Sequence, residues 1–293
     1  MTGEGPPGGL LYVVATPIGN LGDVTLRAIE VLRSVPLVAA EDTRVTKRLL
    51  DRYEIRAKLT SWHARSGAGR LEALLGHLRS GLDLAVLTDA GTPLVSDPGD
   101  ELVRGWRAEG GQVVPIPGAS AVLAAVAATG IAGPRWTFEG FLPRSGRERR
   151  ERLAAIGADS RGAVLYEAPA RAGATLRDLA AAAGGDRSAA VCRELTKLHE
   201  QVVTASLDEL AAAVADGTIP ARGEFVLVVG AAAQMPSTGV ADATDTLAAA
   251  RAEVDRLVGT GVARGAAARQ VGAATGIPRR QLYGAAAEDP AGR

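Results

Sequence analysis

The sequence predicts a protein built from two α/β domains, and three observations lead to that prediction. Short apolar runs typical of strands alternate with longer helix-forming segments through most of the chain. With 293 residues and 47% hydrophobic composition, the chain can bury a separate core in each of two domains. The stretch Gly130–Pro134 interrupts the alternation. We therefore expect a disordered leader at residues 1–9, α/β domains at 10–132 and 133–234, and a linker with a helix-turn-helix-like tail at 235–293.

Composition narrows the possible functions. The chain has 33 basic and 33 acidic residues and a net charge of zero, so any nucleic-acid site has to be a local patch. Aromatic residues make up only 3% of the chain, which argues against an aromatic platform for RNA bases. The single cysteine, Cys192, excludes an internal disulfide or a cysteine-rich zinc site and suits a reducing cytoplasm. No apolar run reaches the roughly 18 residues of a membrane span, so we expect no membrane anchor.

The first predicted strand, Leu10–Ala15, ends in the loop Thr16–Gly22. Asp23 is a suitable N-cap for the helix that follows. The apolar face of this helix would contain Leu26, Ile29 and Leu32. Gly19 and Gly22 do not complete the pattern G-x-G-x-x-G, so this loop is not a dinucleotide fingerprint.

The second strand, Pro36–Ala40, ends at Glu41–Arg44, where two carboxylates and an arginine suit a polar reaction site. Alternatively, Asp42 or Thr43 caps the next helix and Arg44 pairs with a neighbour. Both interpretations can hold at once. His63, before a helix at 69–78, more often has a structural role than a catalytic one.

The run Leu84–Leu87 is apolar throughout, as in strands that are covered on both faces. Ligands of parallel sheets bind beyond the carboxyl ends of the strands, where Asp89 lies. Gly91 would let the backbone approach a ligand closely, and Pro93 would stiffen the turn. Alternatively, Asp89 only hydrogen-bonds its own backbone in a structural turn.

Two helix starts follow. Asp97 fits an N-cap, with Pro98 at the first helical position and Asp100 completing a capping box. After the strand Val113–Ile116, Ser120 precedes a small-residue helix at 121–128. The free amides at the start of this second helix could bind a ligand carboxylate, unless Ser120 simply caps them.

The second half repeats the pattern of strands that end in polar loops. Its predicted strands are Phe138–Phe141, Ala163–Tyr166, Ala189–Cys192 and Gly223–Val229. Glu167 follows the second of these strands, and Arg193–Lys197 follows the third. The run Arg144–Arg152 contains five arginines and two glutamates, so it is a candidate phosphate-binding segment, although most such runs are solvated helix starts.

The C-terminal region begins with a predicted linker, Met235–Asp245, because it carries Pro, Ser, Thr and Gly between two helix-forming regions. Helices at Ala266–Ala274 and Pro278–Tyr283, with a turn at Thr275–Gly276, have helix-turn-helix character. The tail is locally basic. Small helical units also serve as dimer arms, so spacing alone does not establish nucleic-acid binding.

Five separated motifs occur in the same order and at similar spacing in one bacterial enzyme family: Thr16–Leu21, Ala40–Arg44, Asp89–Pro93, Tyr166–Glu167 and Arg193–Lys197. From residue 10 to its end, the chain resembles the ribosomal RNA small subunit methyltransferase I family. Members of this family methylate the 2′-oxygen of a cytidine in the decoding region of 16S rRNA. The parent superfamily is that of the tetrapyrrole methylases.

This resemblance implies two α/β domains, S-adenosylmethionine (SAM) in the cleft between them, a homodimer, and the small ribosomal subunit as partner. The superfamily's SAM contacts correspond to Pro17, Thr88, Asp89, Gly91, Thr92, Ser120, Ala121, Tyr166, Glu167 and Leu195. Two departures stand out. Relatives carry a second His with Asn-Glu after the position of His63, where this chain has Ala64–Gly67, and Pro-Gly-Pro where it has Pro117–Ala119.

Methyl transfer to a ribose needs a group that accepts the hydroxyl proton, and it requires no metal. We place the acceptor side on residues at strand ends that the SAM contacts leave free: Glu41, Asp42, Arg44, Glu194 and Lys197. Arg44 and Lys197 would hold the flanking phosphates, and a carboxylate or a deprotonated Lys197 would take the proton. The alternative is a salt-bridge network, such as Arg193 with Glu41.

Two other functions compete with rRNA methylation. SAM-dependent methylation of a tetrapyrrole or corrinoid ring would use the same cleft but needs no basic tail. A DNA-binding regulator would use the helix-turn-helix-like tail but leaves both α/β domains without a role.

Overall fold

The computed structural model describes residues 8–96, 99–232 and 243–282. The chain divides into two compact units, one reaching to residue 232 and the other beginning at residue 233. The first unit contains two five-stranded β-sheets, and the described part of the second contains three helices.

The first sheet is parallel throughout, with strand order β3-β2-β4-β1-β5. Its strands are β1 (Leu11–Val14), β2 (Leu37–Ala40), β3 (Lys58–Ser61), β4 (Leu84–Leu87) and β5 (Val113–Ile116). The helices between and after them are α1 (Leu26–Ser34), α2 (Thr43–Arg52), α3 (Ala68–Arg79), α4 (Asp100–Ala108) and α5 (Ala121–Thr129).

The central strand β4 is buried on both faces, as its apolar sequence predicts. Ala85 and Leu87 join the core formed with α1 and α2. Leu84 and Val86 point the other way and join the core formed with α3 and α4. Packing on both faces fixes the carboxyl end of β4, the middle strand of the sheet, and therefore also the loop that follows it.

The second sheet is mixed, with strand order β6-β7-β10-β8-β9. Its strands are β6 (Trp136–Phe141), β7 (Gly162–Glu167), β8 (Ser188–Arg193), β9 (Gln201–Ser206) and β10 (Phe225–Val229). Only β6 and β7 pair in parallel, and β10 runs antiparallel to both of its neighbours. One face packs against α6 (Gly146–Ala158), α7 (Pro169–Ala183) and α8 (Leu207–Ala215).

Helix α5 connects the two sheets. Val122 and Ala125 of this helix pack against Val164, Ala190 and Val226 on the second sheet's other face. The small residues of α5 allow this close approach to the sheet, whereas Leu123, on another side of the helix, is 58% exposed. The loops at the edge of the first sheet are thereby held against the second sheet.

Several element boundaries differ from the sequence predictions. The N-cap of α1 is Thr25, which accepts a hydrogen bond from the Ala28 amide, because Asp23 belongs to a preceding 3-10 turn. Leu26, expected on the buried face of α1, is 79% exposed. Strands β3 and β9 were not predicted, because both lie at the edge of a sheet and neither sequence shows a continuous apolar run or a strict alternation of polar and apolar residues.

The predicted cap of α4 falls partly on Asp97 and Pro98, which lie outside the described residues. The helix begins at Asp100, with Gly99 at the N-cap and no side-chain cap. Gly9 was assigned to the leader, yet it is buried and its amide donates to the Leu78 carbonyl at 2.8 Å.

In the second unit, α9 (Ala243–Gly259), α10 (Arg264–Thr275) and α11 (Arg279–Leu282) share a small core. Helix α9 already begins at Ala243, so the predicted linker is wrong from that residue onward. The rest of that linker, and Tyr283, lie outside the described residues. In the part of the chain that the structure covers, no helix combines the length and the apolar character needed to cross a membrane.

Candidate active site

The carboxyl ends of the first sheet's strands all lie at one edge, where the loops after β1 and β4 hold each other. The Thr16 amide donates to the Gly91 carbonyl at 2.8 Å, and the Gly91 amide donates back to the Thr16 carbonyl at 3.0 Å. Gly91 has a φ of +79°, a conformation that favours glycine. The Thr16 hydroxyl adds a bond to the Thr88 carbonyl at 3.2 Å.

A cavity of ≈ 360 Å³ lies where this edge meets the second sheet. The predicted SAM contacts in its wall are Gly91, Thr92, Ser120, Ala121, Tyr166 and Glu167. Thr92 is fixed there because its hydroxyl donates to the Ala119 carbonyl at 3.2 Å. Ser120 is the N-cap of α5, but its side chain makes no capping hydrogen bond. The capping alternative for Ser120 is therefore wrong, and its hydroxyl is available to the cavity.

The other predicted SAM contacts lie outside this wall. Pro17, Thr88 and Leu195 are buried, and Asp89 is exposed. The alternative, in which the Asp89 side chain hydrogen-bonds only the backbone of its own turn, is wrong. Its Oδ1 accepts a hydrogen bond from the Asp42 amide at 2.9 Å, and its own amide donates to Glu41 Oε2 at 3.4 Å. Asp89 therefore ties the loop after β4 to the loop after β2.

The adjacent carboxylates Glu41 and Asp42 have opposite properties. Burial, the largest cause, raises the pKa of Glu41; the Asp89 amide opposes this effect and the Asp89 charge adds to it. Asp42 caps α2 and binds the Arg44 guanidinium through both oxygens, with Nη2–Oδ2 at 2.5 Å. These hydrogen bonds hold the pKa of Asp42 well below its usual range. Environments that separate two neighbouring pKa values are typical of acid–base sites, and they make Glu41 the better proton acceptor.

A second polar group lies on the loop after β8. Lys197 Nζ binds Glu194 Oε1 at 2.8 Å and Glu224 Oε2 at 3.1 Å. Burial lowers the pKa of Lys197, but its hydrogen bonds to both carboxylates outweigh this and raise the pKa. The hydrogen bond from Lys197 in turn lowers the pKa of Glu194. The raised pKa of Lys197 disfavours the alternative in which a deprotonated Lys197 accepts the proton.

The loop after β8 is strained and is held against the loop after β1. Glu194 and Thr196 have φ angles of 52° and 65°, unusual for residues other than glycine. The Asn20 amide donates to the Thr196 hydroxyl at 3.1 Å. A Cβ added to Gly19 would come within 2.4 Å of Lys197 Cγ. Backbone strain of this kind persists where neighbouring structure fixes it, and it clusters at functional sites.

The five predicted acceptor-side residues therefore form two groups, one around Glu41 and one around Lys197. Within the described ranges, no hydrogen bond or ion pair joins them. The predicted pair of Arg193 with Glu41 is wrong, because Arg193 donates to the carbonyls of Arg222 and His199 at 2.8 and 3.1 Å. Residues 8–96, 99–232 and 243–282 contain no cluster of three His, Cys, Asp or Glu side chains suited to a metal ion.

Glu167 is held in place by a buried polar network that involves helix α7. It accepts hydrogen bonds from the Thr175 hydroxyl at 2.6 Å and from the Ala168 amide at 2.8 Å. Arg171 lies 3.2 Å from the same carboxylate, and Arg149 donates to Thr175 at 3.0 Å. This network fixes Glu167 at the cavity wall.

Sequence reasoning missed several residues of the wall. Phe141, 55% exposed, has its ring 5.5 Å from that of Tyr166, which also contacts Phe138. Three of the few aromatic rings therefore cluster here, Phe138 and Phe141 on β6 and Tyr166 on the neighbouring strand β7. Gly223 and Glu224 also line the cavity. Both residues precede a strand, so a search for residues beyond the carboxyl ends of strands did not identify them. They lie beside Glu167 because β10 runs antiparallel to β7.

Three of the five arginines in the basic run Arg144–Arg152 are paired with carboxylates, two of which lie outside the run. Arg149 is buried and binds Asp178 at 2.7 Å, Arg152 binds Glu139, and Arg147 binds Glu151. These pairs weaken its candidacy as a phosphate-binding segment. In the tail, Arg256 pairs with Glu253 and Arg264 with Asp255 in the same way.

Comparison with known proteins gives consistent results. The family model described as Tetrapyrrole (Corrin/Porphyrin) Methylases matches residues 10–211. A ribosomal RNA small subunit methyltransferase I from Synechocystis sp. is 44% identical over 94% of this chain and 96% of its own length. The protein of that name from Bacillus subtilis is 39% identical, with 94% of each chain covered.

Solved structures of the same fold act on other molecules. A cobalt precorrin-4 methyltransferase of cobalamin biosynthesis matches with a TM-score of 0.59 and 18% identity, over 75% of this chain and 94% of its own. Uroporphyrin-III C-methyl transferase from Thermus thermophilus, complexed with S-adenyl homocysteine, matches with a TM-score of 0.54 and 20% identity, over 76% of this chain and 97% of its own. At these identities the likeness supports the fold alone.

Proposed function

The chain belongs to the tetrapyrrole methylase family, in its ribosomal RNA small subunit methyltransferase I branch, and we propose from this that it methylates 16S rRNA. The methyl group passes from SAM to the 2′-hydroxyl of a cytidine in the decoding region. The main support is the identity of 44% over nearly the whole of both chains.

The cavity between the two sheets suits SAM as the methyl donor. Its volume of ≈ 360 Å³ falls in the range of small-ligand pockets. Gly91 presents backbone without a side chain, Ser120 offers a hydroxyl, and Phe141 and Tyr166 offer ring surface. SAM supplies a methyl group on a positively charged sulfur. Residues just outside the wall, including Asp89, act by fixing the loops that carry the wall.

Glu41 is the general base of this proposal. Its raised pKa gives a carboxylate more basic than its neighbour Asp42, which the Arg44 pair keeps ionised and weakly basic. Glu41 takes the proton of the ribose hydroxyl as the oxygen attacks the methyl group. A positioned base contributes roughly 10²–10⁴-fold, and alignment of the reactants contributes more.

The cations hold the RNA. The Arg44 side chain is 87% exposed, so its guanidinium can contact a phosphate while it remains paired with Asp42. Lys197 keeps two carboxylates as partners and can direct its third N–H to a phosphate. This division of roles assigns proton transfer to Glu41 and charge recognition to Arg44 and Lys197.

The finer assignments of partner and location belong to the same proposal. We expect a homodimer that acts on the small ribosomal subunit in the cytoplasm. Support for an interface between copies comes from exposed apolar side chains on and near the second sheet's edge strand, including Leu198 and Val202, which are 93% and 37% exposed.

The test uses purified full-length protein and SAM labelled with tritium in its methyl group. Isolated small subunits, naked 16S rRNA and a porphyrinoid are offered in parallel. We expect label in the rRNA, at a cytidine whose ribose becomes resistant to alkaline cleavage. Label in the porphyrinoid alone would contradict the proposal.

A further inference from the structure

A second, polar cleft lies at the carboxyl ends of the first sheet's strands, next to the loop that carries Glu41. It has a volume of ≈ 500 Å³ and lies at the end of the edge strand β3. Its wall consists of Ser61, His63, Ser66, Gly67, Gly69, Arg70 and Ala73. The only ionisable side chains of this wall are His63 and Arg70, and no carboxylate contributes to it.

The cleft continues from the reaction site. Strands β2 and β3 pair in parallel with Ala40 opposite Ser61, and the Trp62 amide donates to the Ala40 carbonyl at 2.8 Å. His63 therefore follows β3 next to the point where Glu41 follows β2. The His63 ring lies near enough to Glu41 that a positive charge on the ring would lower the pKa of Glu41.

Donors in this cleft are only partly used. Arg70 Nη1 donates to the Thr60 hydroxyl at 3.0 Å, and a guanidinium carries five N–H donors, so others remain. His63 Nδ1 accepts from the Arg65 amide at 3.2 Å, so in the neutral ring the proton lies on Nε2, which is left as a donor. A cleft that offers hydrogen-bond donors and no negatively charged side chain suits an anionic ligand.

We infer that this cleft binds a phosphodiester of the substrate RNA that flanks the ribose to be methylated. Arg70 makes the charged contact and His63 donates from Nε2. This inference rests on the proposed function, and it gives His63 a role in RNA positioning instead of proton transfer.

Two variants test the cleft in different ways. Arg70→Ala removes the charged donor. Gly69→Asp adds a carboxylate in the first turn of α3, where an added Cβ meets no atom within 4 Å and a negative charge favours the helix. The second variant should therefore fold at least as well as the wild type while it repels phosphate. Arg107→Ala, at the far end of α4, and Gly76→Asp, further along α3, are controls with the same charge changes.

The measurements are KM for small subunits, affinity for a short single-stranded RNA at several salt concentrations, and SAM affinity by calorimetry. We expect Arg70→Ala and Gly69→Asp to raise KM about tenfold, as for the loss of one charged hydrogen bond. The salt slope of RNA binding should fall by roughly 0.7 in Arg70→Ala. SAM affinity and both controls should match the wild type.

Wild-type KM, RNA affinity and salt slope in both cleft variants would overturn the inference. Failure of the wild type to methylate subunits would instead overturn the proposed function, and the RNA-binding measurements would still decide the role of the cleft. A parallel loss of SAM affinity would assign these residues to folding of the edge and would also contradict the inference.

Discussion

The Asp89 carboxylate accepts a hydrogen bond from the Asp42 amide at 2.9 Å, which joins the ends of two adjacent parallel strands. The Asp89 amide points back to Glu41. Asp89 therefore controls the position of the loop that carries the proposed base, although it does not line the cavity. These contacts predict that Asp89 acts as a positioning residue.

Replacement of Asp89 should separate positioning from SAM binding. Asp89→Ala removes the acceptor for the Asp42 amide, and we expect kcat to fall by about 10-fold or more through misplacement of Glu41. Asp89→Asn keeps an oxygen acceptor and should recover most of the activity. Calorimetry with SAM is the deciding measurement: a loss of affinity as large as the loss of kcat would make Asp89 a direct SAM contact, as the resemblance implies.

Glu41→Gln should abolish most of the reaction and leave the binding of both substrates intact. We expect kcat to fall by about 10²–10⁴-fold. In the wild type, activity should decline as the pH falls through the raised pKa of Glu41, because the protonated carboxyl cannot accept a proton. A residual pH profile of the same shape in the variant would exclude Glu41 as the base.

The same variant has an opposite effect on stability. Compared with the unfolded chain, the folded protein favours the protonated form of Glu41, because burial raises the pKa of this carboxyl above its unfolded value. Its stabilising contribution is complete below the unfolded pKa and is lost as the pH rises through the folded pKa. At neutral pH, Glu41→Gln should therefore melt at the same or a higher temperature than the wild type, with the difference closing in acid. A lower melting temperature at pH 7 would indicate that ionised Glu41 is stabilising.

Sequence reasoning found the strands whose burial is unambiguous and the polar residues that follow them. Leu84–Leu87 is apolar at every position, so its burial on both faces could be predicted from the sequence alone. Side-chain partners did not follow. Lys197 pairs with Glu194, three residues away, and also with Glu224, which lies thirty residues from Glu194 along the chain and reaches Lys197 through the antiparallel start of β10. Only the strand order could reveal that contact.

Deletion of residues 240–293 should separate RNA binding from SAM binding. The described helices of this region form a compact unit with a core of their own, while the cavity wall belongs entirely to the first unit. We expect SAM affinity to remain at the wild-type value and activity on small subunits to fall. Filter binding of subunits and calorimetry with SAM measure the two effects. Full activity of the truncated protein would limit the tail to a structural or dimeric role.

Gly91→Ala should impair SAM binding through backbone strain at the link between the loops after β1 and β4. With φ at +79°, an alanine would cost about 1–2 kcal/mol, although its Cβ would meet Ile18 Cγ2 only at an ordinary contact distance of 3.5 Å. Gly110→Ala is the matched control, because Gly110 has a φ of +80° and an added Cβ there meets no atom within 4 Å.

Both alanine variants should lose similar stability in urea, because the conformational cost is the same at each position. Only Gly91→Ala should also weaken SAM binding, because its strain is relieved by moving the hydrogen bonds between Thr16 and Gly91, and with them the cavity wall. Calorimetry at a temperature where both variants are folded measures this difference. Equal SAM affinity in the two variants would mean that the link between the loops supports the fold but does not shape the site.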